Sequence, residues 1–164
     1  MGVMRVIAIG AAALLVWTAA ASRVSSQQRL PLASIVPGAV VTLPFGCTPL
    51  VLEPVDLLCP GFHIHTGVDL AAPTGTPVRA AAPGTTVVGF DPARAGIYVM
   101  VIVDKHVRLI YCHLSRVMVP TGKPVAPGDI IGAVGATGLA TGPHLHFEVQ
   151  VDRRAIDPVM WLAS

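Results

Sequence analysis

Charge is what this chain has least of. Only 12% of its 164 residues are Asp, Glu, Lys or Arg against 53% apolar ones, a balance that excludes disorder over most of its length. The net charge is +2, and neither a basic run nor an aromatic-studded basic stripe occurs, so no nucleic-acid partner is expected. Internal repeats and low-complexity blocks are missing as well. A phosphate loop of the form GxxxxGK[ST] is lacking; Gly132 to Gly142 is glycine-rich but leads into a strand pattern rather than a helix. Cysteine is limited to three residues, and the spacing of Cys47 and Cys59 matches no common zinc pattern.

What is present divides the chain into three parts. Residues 1–21 read as a signal peptide: Arg5 supplies a positive start, Val6 to Trp17 an apolar run, and Ala19-Ala20-Ala21 a small-residue cleavage pattern. Cleavage after Ala21 and export are expected. The alternative is an uncleaved membrane tether, although the run falls short of the roughly 20 residues a spanning helix needs. Residues 22–37 are polar, contain proline and show no periodicity, which suits a linker or an arm lying over the domain. Residues 38–160 then form one domain with enough chain for a sizeable core. Its apolar runs are short and alternating: Gly38 to Leu43, Pro77 to Ala81, Thr85 to Phe90, Ile97 to Val103, Arg108 to Leu114, Asp129 to Gly135 and His144 to Val151. Glycine and proline punctuate them at antiparallel-sheet intervals, so the expected fold is all-β with almost no helix beyond the signal segment.

Two motifs carry the chemistry. On a strand His144 and His146 point the same way while Leu145 and Phe147 point into a core, so two imidazoles share one polar groove. His65 and Asp69 would lie about 13 Å apart on an extended strand, too far to share an ion, so Gly67 is expected to supply a bend that folds the carboxylate back. Pro60, Gly61 and Pro73 argue against a helix doing that. Two imidazoles and one carboxylate leave a tetrahedral zinc one open position for water, which is the arrangement of a catalytic rather than a structural site.

The remaining polar residues invite plainer readings. His106, between two apolar runs, belongs to a hairpin turn. His63 lies two residues before His65 and would share its face on a straight strand, leaving open an exchange of roles. Glu148 shares a face with His144 and His146; it could orient a ligand, but a solvated strand glutamate is the reading preferred. Cys47 and Cys59 bracket a short loop ahead of His65, and in an exported chain a bridge there would pin the strand that delivers the ligand. Cys112 alternates away from His113, which shares a strand face with Tyr111, and reads as a buried thiol.

With these residues in view the chain resembles the lysostaphin/LytM-type zinc metallopeptidases, which cut peptide bonds in bacterial peptidoglycan. The likeness runs from Phe45 to about Pro158. It includes HTGVDLAAPTGTPVRAAAPGTTVV from His65, YCHLS from Tyr111, PGDIIGAVGATG from Pro127 and TGPHLHFEV from Thr141. The resemblance implies a compact antiparallel β fold, a sheet or sandwich with a narrow groove. It implies a zinc ion held by His65, Asp69 and His146, with His113 and His144 as the catalytic histidines and no glutamate base. It further implies a peptidoglycan peptide substrate; the signal-peptide reading adds a secreted or periplasmic location in the cell envelope, and the chain is expected to act as a monomer. A wall-binding or regulatory module without turnover, and a zinc amidase or carboxypeptidase on stem peptides, are the competing expectations.

Overall fold

Short alternating runs separated by tight turns favour strands paired with their sequence neighbours, and the computed structural model, which describes residues 29–164, is built that way. In chain order its elements are α1 (Leu32–Ile35), β1 (Val40–Leu43), β2 (Gly46–Thr48), β3 (His63–His65), β4 (Val68–Ala71), β5 (Pro77–Arg79), β6 (Gly84–Asp91) and β7 (Gly96–Ile102). There follow β8 (Val107–Leu114), β9 (Arg116–Val117), β10 (Pro124–Val125), β11 (Ile130–Ala133), β12 (His144–Val151), β13 (Arg154–Ile156) and α2 (Pro158–Ala163).

The main antiparallel sheet runs β1-β4-β12-β8-β7-β6-β10, with β13 completing the edge of β12 beyond β4. A three-stranded sheet, β5-β11-β9, and the pair β2-β3 accompany it. Alternation explains the core. Leu145, Phe147 and Val149 of β12, Leu109 and Tyr111 of β8 and Val68 and Leu70 of β4 are all buried in one cluster with Val78 and Ile131 of the smaller sheet. Tyr111 packs its ring on Phe147, centroids 5.1 Å apart, and its hydroxyl accepts the Ala81 N–H at 2.8 Å, so its polar end is satisfied inside the core.

The fold is all-β and antiparallel as expected, with two short helices. The seven apolar runs all contain strands; the strands that the pattern does not reveal, β2, β3, β4, β9, β10 and β13, are two to four residues long, too short for alternation to register. The described end of the expected arm packs into the domain: Leu30 N–H donates to the Ala81 carbonyl at 2.7 Å, and Ile35 and Val36 are buried. Arg29 lies over the Trp161 ring, 4.0 Å from its centroid, and donates to the Ser164 carbonyl at 2.9 Å, tying this entry segment to α2. The signal-peptide reading of residues 1–21 lies outside the described residues. Among those described, no helix is long and apolar enough to cross a membrane.

Candidate metal centre

The site is assembled by strand register. His146 of β12 sits directly opposite Asp69 of β4, and residues paired across antiparallel strands point to the same face, so the carboxylate meets the imidazole: His146 Nδ1 is 3.1 Å from Asp69 Oδ1. His65 arrives from β3 through the bend at Thr66-Gly67, which reverses enough of the chain to set His65 Nε2 3.1 Å from the same Asp69 oxygen and 3.0 Å from His146 Nδ1. The bend anticipated at Gly67 is therefore present, and space is what demands glycine. Its φ is not in the left-handed region, but a Cβ there would lie 2.5 Å from the Phe147 carbonyl oxygen and 2.8 Å from the His146 ring. Donor atoms of His65, Asp69 and His146 all lie within 4.8 Å of one another.

The hydrogen bonds around these donors decide what they can bind. His65 Nδ1 faces the Pro44 carbonyl at 2.9 Å; a carbonyl only accepts, so Nδ1 carries the proton and Nε2 of the neutral ring turns a lone pair inward. The far nitrogen of His146 lies 3.6 Å from Glu148, which favours a proton at Nε2 and leaves Nδ1 facing the other donors. Three electron-rich atoms thus converge where only a positive charge reconciles them. Burial disfavours charge on His146, but Asp69 and Glu148 outweigh it and carry its pKa up to about 9. Burial likewise pushes Asp69 up, while contact with the His146 and His65 imidazoles holds it well below the usual carboxylate range. A His2Asp donor set that attracts positive charge and faces a groove suits zinc.

Two more histidines flank it. His144, two residues before His146 on β12, points to the same face with Nε2 3.8 Å from Asp69 Oδ1 and donates from Nδ1 to the Gly142 carbonyl at 2.8 Å. His113 donates from Nδ1 to the Thr137 carbonyl at 2.8 Å, and its ring centroid is 4.7 Å from that of His144. Both rings therefore hold the same tautomer with Nε2 as the free acceptor. Burial pushes His113 down to about 4, with His144 and His146 adding to the effect against a Thr137 carbonyl that opposes it, so the ring is neutral near pH 7.

The structure corrects the face assignment on β8. Val99 pairs Tyr111 while Ile97 pairs Leu114, so β8 carries one extra residue, a bulge, and His113 takes the left-handed φ of 62°. Strict alternation would place His113 with Tyr111; instead Tyr111 is in the core and His113 lines the groove. Cys112, opposite His146, also faces the groove floor instead of alternating away from it. It is a buried thiol as expected, 6% exposed, and burial raises its pKa to about 12, so it is no nucleophile.

Glu148 is held by neighbours and is not a solvated strand glutamate. Its Oε2 accepts the Thr66 hydroxyl at 2.8 Å beside His146 Nε2, and its Oε1 accepts the Gln150 amide at 2.5 Å, so it orients His146 rather than standing in solvent. His63 donates from Nδ1 to the Glu53 carbonyl at 2.7 Å and takes no part in the donor group. His106 lies in the turn between β7 and β8, its Nδ1 2.6 Å from Asp152 Oδ1. Cys47 and Cys59 are bridged, closing the loop whose Leu50, Leu52 and Glu53 form one groove wall. Leu139 and Thr141, from the glycine-rich stretch, lie on its lining too.

Comparison with known proteins fits this geometry. The model of peptidase family M23 matches residues 63–158, more than half of the chain, spanning all five histidine and aspartate positions of the groove. The chain belongs to peptidase family M23. It is 44% identical over 101 residues to the DD-carboxypeptidase/endopeptidase Mpg of Neisseria meningitidis, which covers 60% of this chain and 23% of that protein. The catalytic domain of the antimicrobial peptidase lysostaphin from Staphylococcus simulans superposes with a TM-score of 0.64 at 34% identity, covering 77% of this chain and 93% of that one. A zinc-containing peptidase from Vibrio cholerae gives a TM-score of 0.66 at 31% identity, with coverage of 80% and 40%. The chain spans about a quarter of the length of the Neisseria protein it matches.

As an M23 chain it carries groove residues that no motif reading singled out. Thr66 directly follows the candidate donor His65 and could have been found by that adjacency. Arg94 reaches the groove from the turn between β6 and β7, whose approach to His113 is set by strand order and leaves no trace in local sequence.

Proposed function

We propose that this M23 chain is a zinc metalloendopeptidase that hydrolyses peptide cross-links of bacterial peptidoglycan. One observation carries the reading: three inward donors gather at an open groove lined by Asp69 and His146, beside two histidines whose Nδ1–H groups are fixed on backbone carbonyls so that Nε2 is the basic nitrogen turned away from them. Zinc, when bound by His65, Asp69 and His146, supplies Lewis acidity toward a scissile carbonyl and toward water.

The chain's own residues do the rest. His113 and His144 flank the donors from one side, each locked in orientation by a backbone carbonyl, so no ordering is left to do when substrate arrives. An Nε2 lone pair takes the proton from the attacking water as its oxygen bonds to the carbonyl carbon. The resulting imidazolium N–H stabilises charge on the carbonyl oxygen or returns the proton to the departing nitrogen as the C–N bond breaks. Glu148 and Thr66 hold His146 in register and touch no reacting atom.

Residues 1–21 would export the chain and leave the domain in the cell envelope, secreted or periplasmic, with a membrane tether if they stay attached. The Cys47–Cys59 bridge supports an oxidising location. The relative named as a DD-carboxypeptidase/endopeptidase keeps a carboxypeptidase reading in view, since removing a terminal residue uses the same chemistry. The test is metal content and amine release from purified peptidoglycan for residues 22–164 and for His146→Ala. About one zinc per chain, with both properties lost in the variant, is expected. A wild type that binds zinc and wall but releases no amine would establish a binding module instead, and product analysis separates cross-link cleavage from end-trimming.

A further inference from the structure

Arg94 is the one guanidinium or ammonium among the residues lining the groove, and it is exposed. Its position is built, not incidental. Asp91 Oδ1 accepts the N–H groups of Ala93 and Arg94 at 3.0 and 3.2 Å, fixing the turn between β6 and β7. The Arg94 carbonyl accepts Leu139 N–H at 2.8 Å, and the Ala95 carbonyl accepts His113 N–H at 2.8 Å, so the turn is stitched to the glycine-rich wall and to His113 itself. Packing there is close: a Cβ on Gly138 would lie 2.4 Å from the Arg94 carbonyl oxygen and 2.3 Å from Gly96 N.

The guanidinium has no partner to neutralise it. Every ion pair among the described residues involves a histidine, and none includes Arg94. Asp69 and Glu148 of the groove are engaged by the histidines, Thr66 and Gln150. An unpaired Arg whose backbone is pinned to that of His113 offers its exposed side chain to a planar anion in the groove, and carboxylate geometry matches its fork.

We propose that Arg94 is a specificity-determining residue that pairs with a free carboxylate of the substrate next to the scissile amide. The chain then prefers cross-links in which the amide joins a residue bearing its own acid group, such as a diamino diacid, over neutral glycine-type bridges. This rests on the endopeptidase reading above.

The test uses two synthetic cross-link peptides, identical except that the acid beside the scissile amide is free in one and a primary amide in the other. The zinc-loaded chain is assayed for kcat/KM on both, and Kd for both is measured in a His113→Asn background to prevent turnover. Wild type is expected to favour the free acid by about tenfold in both quantities. Arg94→Gln should erase that ratio by weakening the acid peptide alone, and Arg94→Lys should retain part of it, keeping charge but not the fork. A wild-type ratio near one, or equal weakening of both peptides by Arg94→Gln, overturns the assignment. A chain that cleaves neither peptide refutes the endopeptidase reading instead, and the Kd ratio then still decides the role of Arg94.

Discussion

Replacing Gly67 by alanine adds one methyl group at a position where the backbone conformation itself would accept it, so the outcome reads packing alone. The new Cβ would stand 2.5 Å from the Phe147 carbonyl oxygen and 2.8 Å from Cε1 and Nε2 of His146. Neither neighbour can yield cheaply. Phe147 is paired with Val68 across β4 and β12, so moving its carbonyl disturbs that ladder, and its side chain is fully buried. His146 can turn away only by leaving Glu148 on one side and Asp69 on the other. Overpacking of this kind costs about 1–3 kcal/mol of stability. Displacing a ligand from its orienting partner costs about 10–100-fold in metal affinity. Gly67→Ala should therefore fold with a lowered Tm, bind zinc at least tenfold more weakly in a competition titration against a chelator, and lose amine release at limiting zinc. A variant with wild-type zinc affinity and Tm would refute the claim that close approach to His146 is what requires glycine.

The same geometry makes three further predictions. Glu148→Ala should retain the fold yet weaken zinc about tenfold by the same titration, because Thr66 and His146 Nε2 lose their acceptor. His113→Asn should keep zinc stoichiometry while kcat falls by about 10²–10⁴-fold; asparagine tolerates the left-handed φ, so a Tm near wild type separates lost chemistry from lost folding. In the zinc-free protein the folded-state pKa of His146 lies above the unfolded value of 6.5. Its contribution to stability is thus complete below 6.5 and lost as pH rises through about 9, a fall on the order of 3 kcal/mol in denaturant titrations that saturating zinc should abolish.

Residue alternation, a local property, determined that His144 and His146 share a face and that Leu145, Phe147 and Val149 enter the core, and the chain reads that way in three dimensions. It also determined that an HxxxD pair needs a bend before both ends can meet, because extended backbone holds them apart. Register decided the rest. That Asp69 faces His146 depends on which residues of β4 and β12 pair, and that His113 leaves the side of Tyr111 depends on an extra residue accommodated between β7 and β8. Neither is encoded in a local period: a bulge breaks alternation without a mark in composition. Glu148 read as solvated because a strand face shows which way a side chain points but not what stands opposite, and here Thr66 stands there. Arg94 is the extreme case. Its turn is ordinary in sequence, and only the order of strands across the sheet, together with the glycine-rich wall folding back on it, carries a cation to the rim of the groove, since proximity between distant segments is a property of the packed chain alone.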